Sequence, residues 1–125
     1  MLIISGFTAC FLTLLLTGLS LNVSRLRMRH QISYGHGSRR DLEVAIRAHG
    51  NGLEQGLLFL LLLVIAELLK APANLLFAIA VCFVVARILH AAAIFGRWLL
   101  ARQIAHVISL LMQLATSGVI FWKLM

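Results

Sequence analysis

Four long apolar runs dominate this 125-residue chain: Leu2–Val23, Leu53–Leu69, Ala73–Phe95 and Ile104–Trp122. A helix needs roughly 20 apolar residues to cross the hydrocarbon of a bilayer. Within that hydrocarbon every backbone N–H and C=O must find a partner in the protein, which a helix supplies from its own backbone. A soluble core of this size has no use for four such runs, and 62% of the residues are hydrophobic. The expected architecture is all-α, an integral membrane four-helix transmembrane bundle, antiparallel because the connections are short. A single domain is expected over residues 1–125, with spans at about 2–23, 41–69, 72–95 and 103–122. The first run has no positively charged leader and no A-x-A-like site after it, so it is expected to be retained as a helix and not cleaved as a signal peptide.

The net charge of +7 would suggest nucleic acid in a soluble protein, but here the cations sit at span ends. Arg25, Arg27, Arg29, Arg39 and Arg40 lie between the first two spans, and Arg97 and Arg102 lie between the last two. The opposite side carries only Lys70 and Lys123, with Glu67 near the former. Cytoplasmic loops collect Lys and Arg, so both arginine-rich loops are expected in the cytoplasm and both termini outside it. The basic character is topological, and no nucleic acid partner is expected. Cys10 and Cys82 fall inside apolar runs without a Cys/His pattern at metal spacing, so they are expected to fill the core and no metal is expected.

The one long polar connection, His30 to Ser38, is rich in Gly and Ser. Ser38 is a candidate N-cap for the second helix, with Asp41 and Glu43 in the first turn where carboxylates suit the helix dipole. Pro72 suits the first turn of the third helix, and Gly96 is the candidate terminator of that helix. Gly52 and Gly56 form a small-xxx-small pair, which allows close helix approach either within one bundle or between subunits.

Arg47, Asn51 and Glu54 follow at i, i+4 and i+7, one stripe of a helix entering the membrane from the cytoplasm. Each ionisable group at membrane depth costs about 2.5–3.5 kcal/mol even on lenient scales, so such a stripe is expected to hold something. Arg87 and His90 form a second stripe, at i and i+3, on the third helix. Glu54 is the carboxylate available at that depth, and a salt bridge from Arg87 to Glu54 is the plain structural expectation. His90 is readable as a packing residue or as part of the same site. Together these residues describe a cation-rich crevice opening to the cytoplasm, suited to a small polar anion, in which a thiol would be favoured as its thiolate.

The octet Arg47 to Glu54 resembles the signature of the MAPEG family, the membrane-associated proteins in eicosanoid and glutathione metabolism. That signature reads R-A-H/Q-x-N-x-x-E, with an acidic residue ahead of it matching Glu43. Val23-Ser24-Arg25-Leu26-Arg27 resembles the family's ending of the first helix, Ala86-Arg87-Ile88-Leu89-His90 its segment in the third helix, and Gly96-Arg97 the G-K/R that follows. The likeness spans nearly the whole chain and is strongest to the short bacterial branch. It implies a homotrimer in a bacterial inner membrane that binds glutathione between subunits in the cytoplasmic half. By the same resemblance, Arg25 would meet a glutathione carboxylate and Asn51 and Glu54 its glutamyl and amino end. His90 would line the pocket, while Arg47 and Arg87 would hold helices and ligand in register. Arg102, one residue out of register, would stabilise the thiolate as the catalytic group.

The chain departs from the family pattern at Ile94, where active members carry a tyrosine, at Gln55, where a tyrosine is often found, and at Gly50, where the variable position is usually basic or polar. The function implied is a glutathione-dependent transferase or peroxidase acting on lipophilic electrophiles or hydroperoxides. The alternative is a non-catalytic binding or scaffold protein on the same fold. Small multidrug-type transporters have a glutamate in their first helix, whereas this chain has no charge between Met1 and Arg25.

Overall fold

The computed structural model describes residues 1–125, all of them. It is all-helical, with α1 over Ile3–His30, α2 over Arg40–Leu68, α3 over Ala73–Gly96 and α4 over Leu99–Leu124. All four helices are long and apolar enough to cross a membrane. Helices α2 and α3 touch each other and both outer helices, whereas α1 and α4 do not meet. The cross-section is thus a rhombus with α2 and α3 on its short diagonal. Phe59 and Phe83 stack there with ring centroids 3.8 Å apart, among Leu12, Leu63, Leu76 and Ile79. Towards the other end the buried positions include six alanines, Ala45, Ala48, Ala86, Ala91, Ala93 and Ala105, beside Leu19, Leu26 and Leu42. The alanines leave room there for the buried side chains of Arg87 and His90.

Helix boundaries differ from the sequence reading for local reasons. Helix α1 continues well past Val23 to His30, and α4 starts at Leu99. Each of α1, α2 and α3 ends in a left-handed residue that is not glycine: Gln31, Lys70 and Arg97, with φ of 54°, 53° and 59°. At each end one N–H reaches back three residues and the next reaches back five, the Schellman pattern. Gly96 is therefore not the left-handed terminator. It is small because Trp98 folds back over it, and a Cβ there would meet the indole at 3.1 Å.

Ser38 does not cap α2. It adopts φ 60°, Arg39 is the N-cap, and no side chain caps that end. Pro72 stands one residue outside α3 as its N-cap. The loop before α2 is instead tied down by Arg27, whose Nη1 donates to the carbonyls of Ser33 at 3.2 Å and Gly35 at 2.9 Å. His30 and Asp41 close it with a 2.8 Å contact.

The glycine pair works inside the bundle. A Cβ on Gly52 would lie 3.1 Å from Leu16, and one on Gly56 would lie 3.7 Å from Leu12, both on α1. Cys10 and Cys82 are exposed on the outside of the protomer and do not fill the core, which corrects that expectation. Phe7, Phe11, Phe77 and Phe95 are exposed as well, as helix faces in lipid or against other subunits would be.

One contact at the far end of the bundle has no counterpart in the sequence reading. The Glu67 carboxylate, at the end of α2, accepts from the Ile4 N–H at 3.0 Å and the Ser5 N–H at 2.9 Å, and from the Ser5 hydroxyl at 2.6 Å. The start of α1 has no side-chain cap of its own. A carboxylate from another helix satisfies its free amides and the positive end of its dipole.

Candidate functional site

Arg87 is the largest polar side chain in the interior, 2% exposed. Its Nη2 donates to Asn51 Oδ1 at 2.8 Å and lies 3.3 Å from His90 Nδ1. A guanidinium can only donate, so Nδ1 of His90 carries the lone pair and its proton sits on Nε2. Arg87 thus fixes the tautomer of the histidine that lines the cavity beside it. Arg87 Nε and Nη1, and Nδ1 of His106, are buried without a hydrogen-bond partner. The His90 and His106 rings lie 6.0 Å apart.

The expected Arg87–Glu54 salt bridge does not form. Helix periodicity explains why. Counting from Ala45 at 3.6 residues per turn, the buried positions of α2 cluster on one side, Asn51 falls roughly 120° away and Glu54 roughly 180° away. Asn51, half-buried, turns towards α3, and Glu54 is exposed on the face opposite the core. The stripe seen in the sequence straddles the edge of the bundle, so its amide faces inward and its acid outward.

Around this buried centre lies an open cavity of about 280 Å³. Arg47 and Asn51 line it from α2, His90 and Ile94 from α3, and Arg102, Gln103 and His106 from the first turns of α4. Arg47 is exposed and pairs with Glu43 at 2.8 Å, one turn back. Four of the residues singled out from the sequence, Arg47, Asn51, His90 and Arg102, therefore share one hollow, and Arg87 stands directly behind it. Arg25 is not in it: it is exposed and donates to Asn22 Oδ1 at 2.8 Å. Glu54 is not in it either.

His106 and Gln103 were not legible as site residues. A signal existed on α4, where Arg102, His106, Ser109, Gln113 and Thr116 follow at steps of four, three, four and three, a polar seam on one face. Most of that seam is internally satisfied. Ser109 and Thr116 donate to carbonyls one turn back, and Gln113 donates to the Gln55 side chain at 3.0 Å and to its backbone at 3.1 Å. Gln55 is thereby committed to holding α2 against α4. No group of three or more His, Cys, Asp or Glu side chains is placed to hold a metal ion.

A helical membrane bundle with a cation-lined hollow at one end, braced by a buried Asn–Arg–His chain, is the class of protein this defines. The chain belongs to the MAPEG family, whose family model matches residues 5–122. Among curated proteins it is similar to the inner membrane protein YecN of Escherichia coli strain K12. The two are 31% identical over 87 residues, which is 70% of this chain and 66% of that protein, just under two thirds of its length. YecN of Escherichia coli O6:H1 strain CFT073 matches to the same extent, 31% over 87 residues. Four apolar helices and this kinship make the chain a multi-pass inner membrane protein.

Proposed function

We propose that the hollow is one part of a glutathione site in a homotrimer, and that the protein is a glutathione-dependent transferase or peroxidase. The observation that carries this is the meeting of Arg47, Asn51, His90 and Arg102 around one cavity while Arg25 and Glu54 face out of the protomer. A cavity of about 280 Å³ is at the small end of ligand pockets, which run from roughly 300 to 1,000 Å³. A neighbouring subunit presenting its Arg25 end of α1 beside Glu54 would enlarge it and supply the groups the protomer turns outward.

The donor set suits the ligand. Glutathione carries two carboxylates, an ammonium and a thiol. Arg47, Arg102 and the Asn51 amide answer the anions, and Glu54 answers the ammonium. A free thiol of this type titrates near pH 8.5, and a guanidinium beside it favours the thiolate. In a transferase reaction the sulfur of the thiolate forms a bond to an electrophilic carbon, and the leaving group departs with its electron pair. In a peroxidase reaction the sulfur bonds to the outer oxygen of the hydroperoxide, and the O–O bond breaks with the alkoxide leaving as the alcohol. The thiol of a second glutathione then displaces water from the resulting sulfenic acid to form the disulfide. Arg102 is the residue proposed to hold the thiolate. The positive-inside pattern puts this end of the bundle, with both arginine-rich loops, on the cytoplasmic side and the termini on the other.

Ile94 supports a second reading. It lines the cavity where active relatives of the resemblance place a tyrosine, so one hydroxyl donor is missing. A protein that binds glutathione or another small anion without turnover is the alternative. The test is a thermal shift with glutathione, followed by conjugation and peroxidase assays on wild type and Arg102→Ala. Binding kept and turnover lost in Arg102→Ala supports the enzyme. Binding without turnover in wild type, across a panel of electrophiles and hydroperoxides, supports the alternative. No thermal shift removes glutathione from both.

A further inference from the structure

A second and larger cavity, about 580 Å³, opens next to the first between the start of α2 and the turn from α3 to α4. Arg40, Arg47, Arg97 and Arg102 line it together with His36 and Trp98. Glu43 is the one carboxylate in its wall, and Arg47 engages it at 2.8 Å. Arg40, Arg97 and Arg102 have no ion-pair partner in the protein. Four guanidinium groups around one hollow repel one another unless an anion lies between them.

The helix ends sharpen this. Helices α2 and α4 both begin at the cavity wall, at Arg40 and Leu99, and neither has a side-chain cap. Anions suit the start of a helix and cations do not, by about 0.3–1 kcal/mol each. The first turn of α2 carries Asp41 and Glu43, but that of α4 has no acidic residue and holds Arg102 instead. Such a breach of a local rule at the start of α4, facing a cavity lined by four arginines, is expected where a ligand compensates it.

The setting identifies the anion. Trp98 is 61% exposed and packed over Gly96, and Leu99 and Leu100 beside it are 58% and 69% exposed. Tryptophan prefers the level of the lipid headgroups, and the exposed leucines add an apolar flank beside the cations. A free phosphate in solution has no use for that flank, whereas a phospholipid fills both parts. Basic pockets at the cytoplasmic ends of transmembrane helices recognise lipid headgroups in this manner. We propose that this cavity binds the phosphate of an anionic phospholipid headgroup, with Arg40 and Arg97 as ligands that the hollow around His90 does not use.

The test is native mass spectrometry of the full-length protein from a neutral detergent, with phosphatidylglycerol, phosphatidylcholine or inorganic phosphate added separately. Wild type is expected to retain phosphatidylglycerol at least five-fold better than phosphatidylcholine. In the Arg40→Gln/Arg97→Gln variant that preference is expected to vanish. Helical circular dichroism matching wild type checks that the variant is folded. Equal retention of the two lipids by wild type, or a preference that survives in the folded variant, overturns the proposal. Inorganic phosphate displacing the lipid at comparable concentration overturns the lipid assignment and makes the ligand a soluble phosphate. If the double variant does not fold, the single Arg97→Gln variant is read in the same way, with a drop of at least two-fold expected and no drop overturning the proposal.

Discussion

Asn51 is the closest partner of a cation that is 2% exposed, so removing it should expose how the buried centre is held together. In Asn51→Ala, Arg87 Nη2 loses its 2.8 Å acceptor while Nε and Nη1 are already unpartnered. Hydrogen bonds to charged groups contribute about 1.5–3 kcal/mol, and stripping a partner from a buried charge costs towards 3–5 kcal/mol. Cycles in other membrane proteins average only about 0.6 kcal/mol, with a maximum near 1.7, because the unfolded chain also finds partners. The high burial of Arg87 puts this pair at the upper end, so Asn51→Ala is expected to cost about 2 kcal/mol.

Arg87→Met removes the cation and its unpartnered N–H groups together, and it keeps a flexible chain of similar length. It is expected to stay within about 1 kcal/mol of wild type, since apolar replacement of buried charge is often neutral. Once Arg87 is gone, Asn51→Ala should cost little, leaving a coupling of about 1.5 kcal/mol. The assay is reversible unfolding in mixed micelles for wild type, both single variants and the double variant, without ligand. Additivity within about 0.5 kcal/mol would mean the two side chains do not support each other, and the bracing role given to Arg87 would be wrong.

Other expectations follow from single contacts. Glu67→Gln keeps one acceptor oxygen for the start of α1 and turns an amide towards the remaining donors; a loss of about 1–2 kcal/mol is expected, read as faster hydrogen exchange at Ile4 and Ser5. Unchanged exchange there would show that the carboxylate is not the cap. Gly52→Leu should destabilise by about 1–3 kcal/mol, because its first added carbon already approaches Leu16 at 3.1 Å, whereas Gly56→Ala, with 3.7 Å to Leu12, should be near neutral in a melt. Equal melting of these two variants would place the α1–α2 contact elsewhere. Gln113→Leu leaves the Gln55 side chain without its donor and should cost about 1 kcal/mol with no change in glutathione affinity, since neither side chain lines the hollow.

The bundle was legible because the bilayer leaves few options. Four apolar runs of spanning length, with every backbone group needing a partner, can form only helices. The site was legible in part, as residue types that cluster at one end of two helices. What failed in each case depended on rotation or on distance along the chain. Glu54 and Asn51 are three residues apart, and only the position of the α2 core decides that one faces Arg87 and the other faces outward. Glu67 caps a helix whose capped residues lie 62 and 63 positions earlier, a relation that no local pattern carries. Helix ends misled because glycine was the expected left-handed residue, whereas Gln31, Lys70 and Arg97 adopt that conformation. The polar seam of α4 was present in the spacing, hidden among apolar residues of a span.

The central claim is that the hollow around Arg47, Asn51, His90 and Arg102 is incomplete in one chain and is finished by Arg25 and Glu54 of other copies. Native mass spectrometry of the detergent-solubilised protein, with and without glutathione, tests it directly. Three-chain assemblies retaining up to three glutathione molecules, with none on single chains, are the expected result. Single chains that hold glutathione as well as the assembly does, or trimers that hold none, would contradict it.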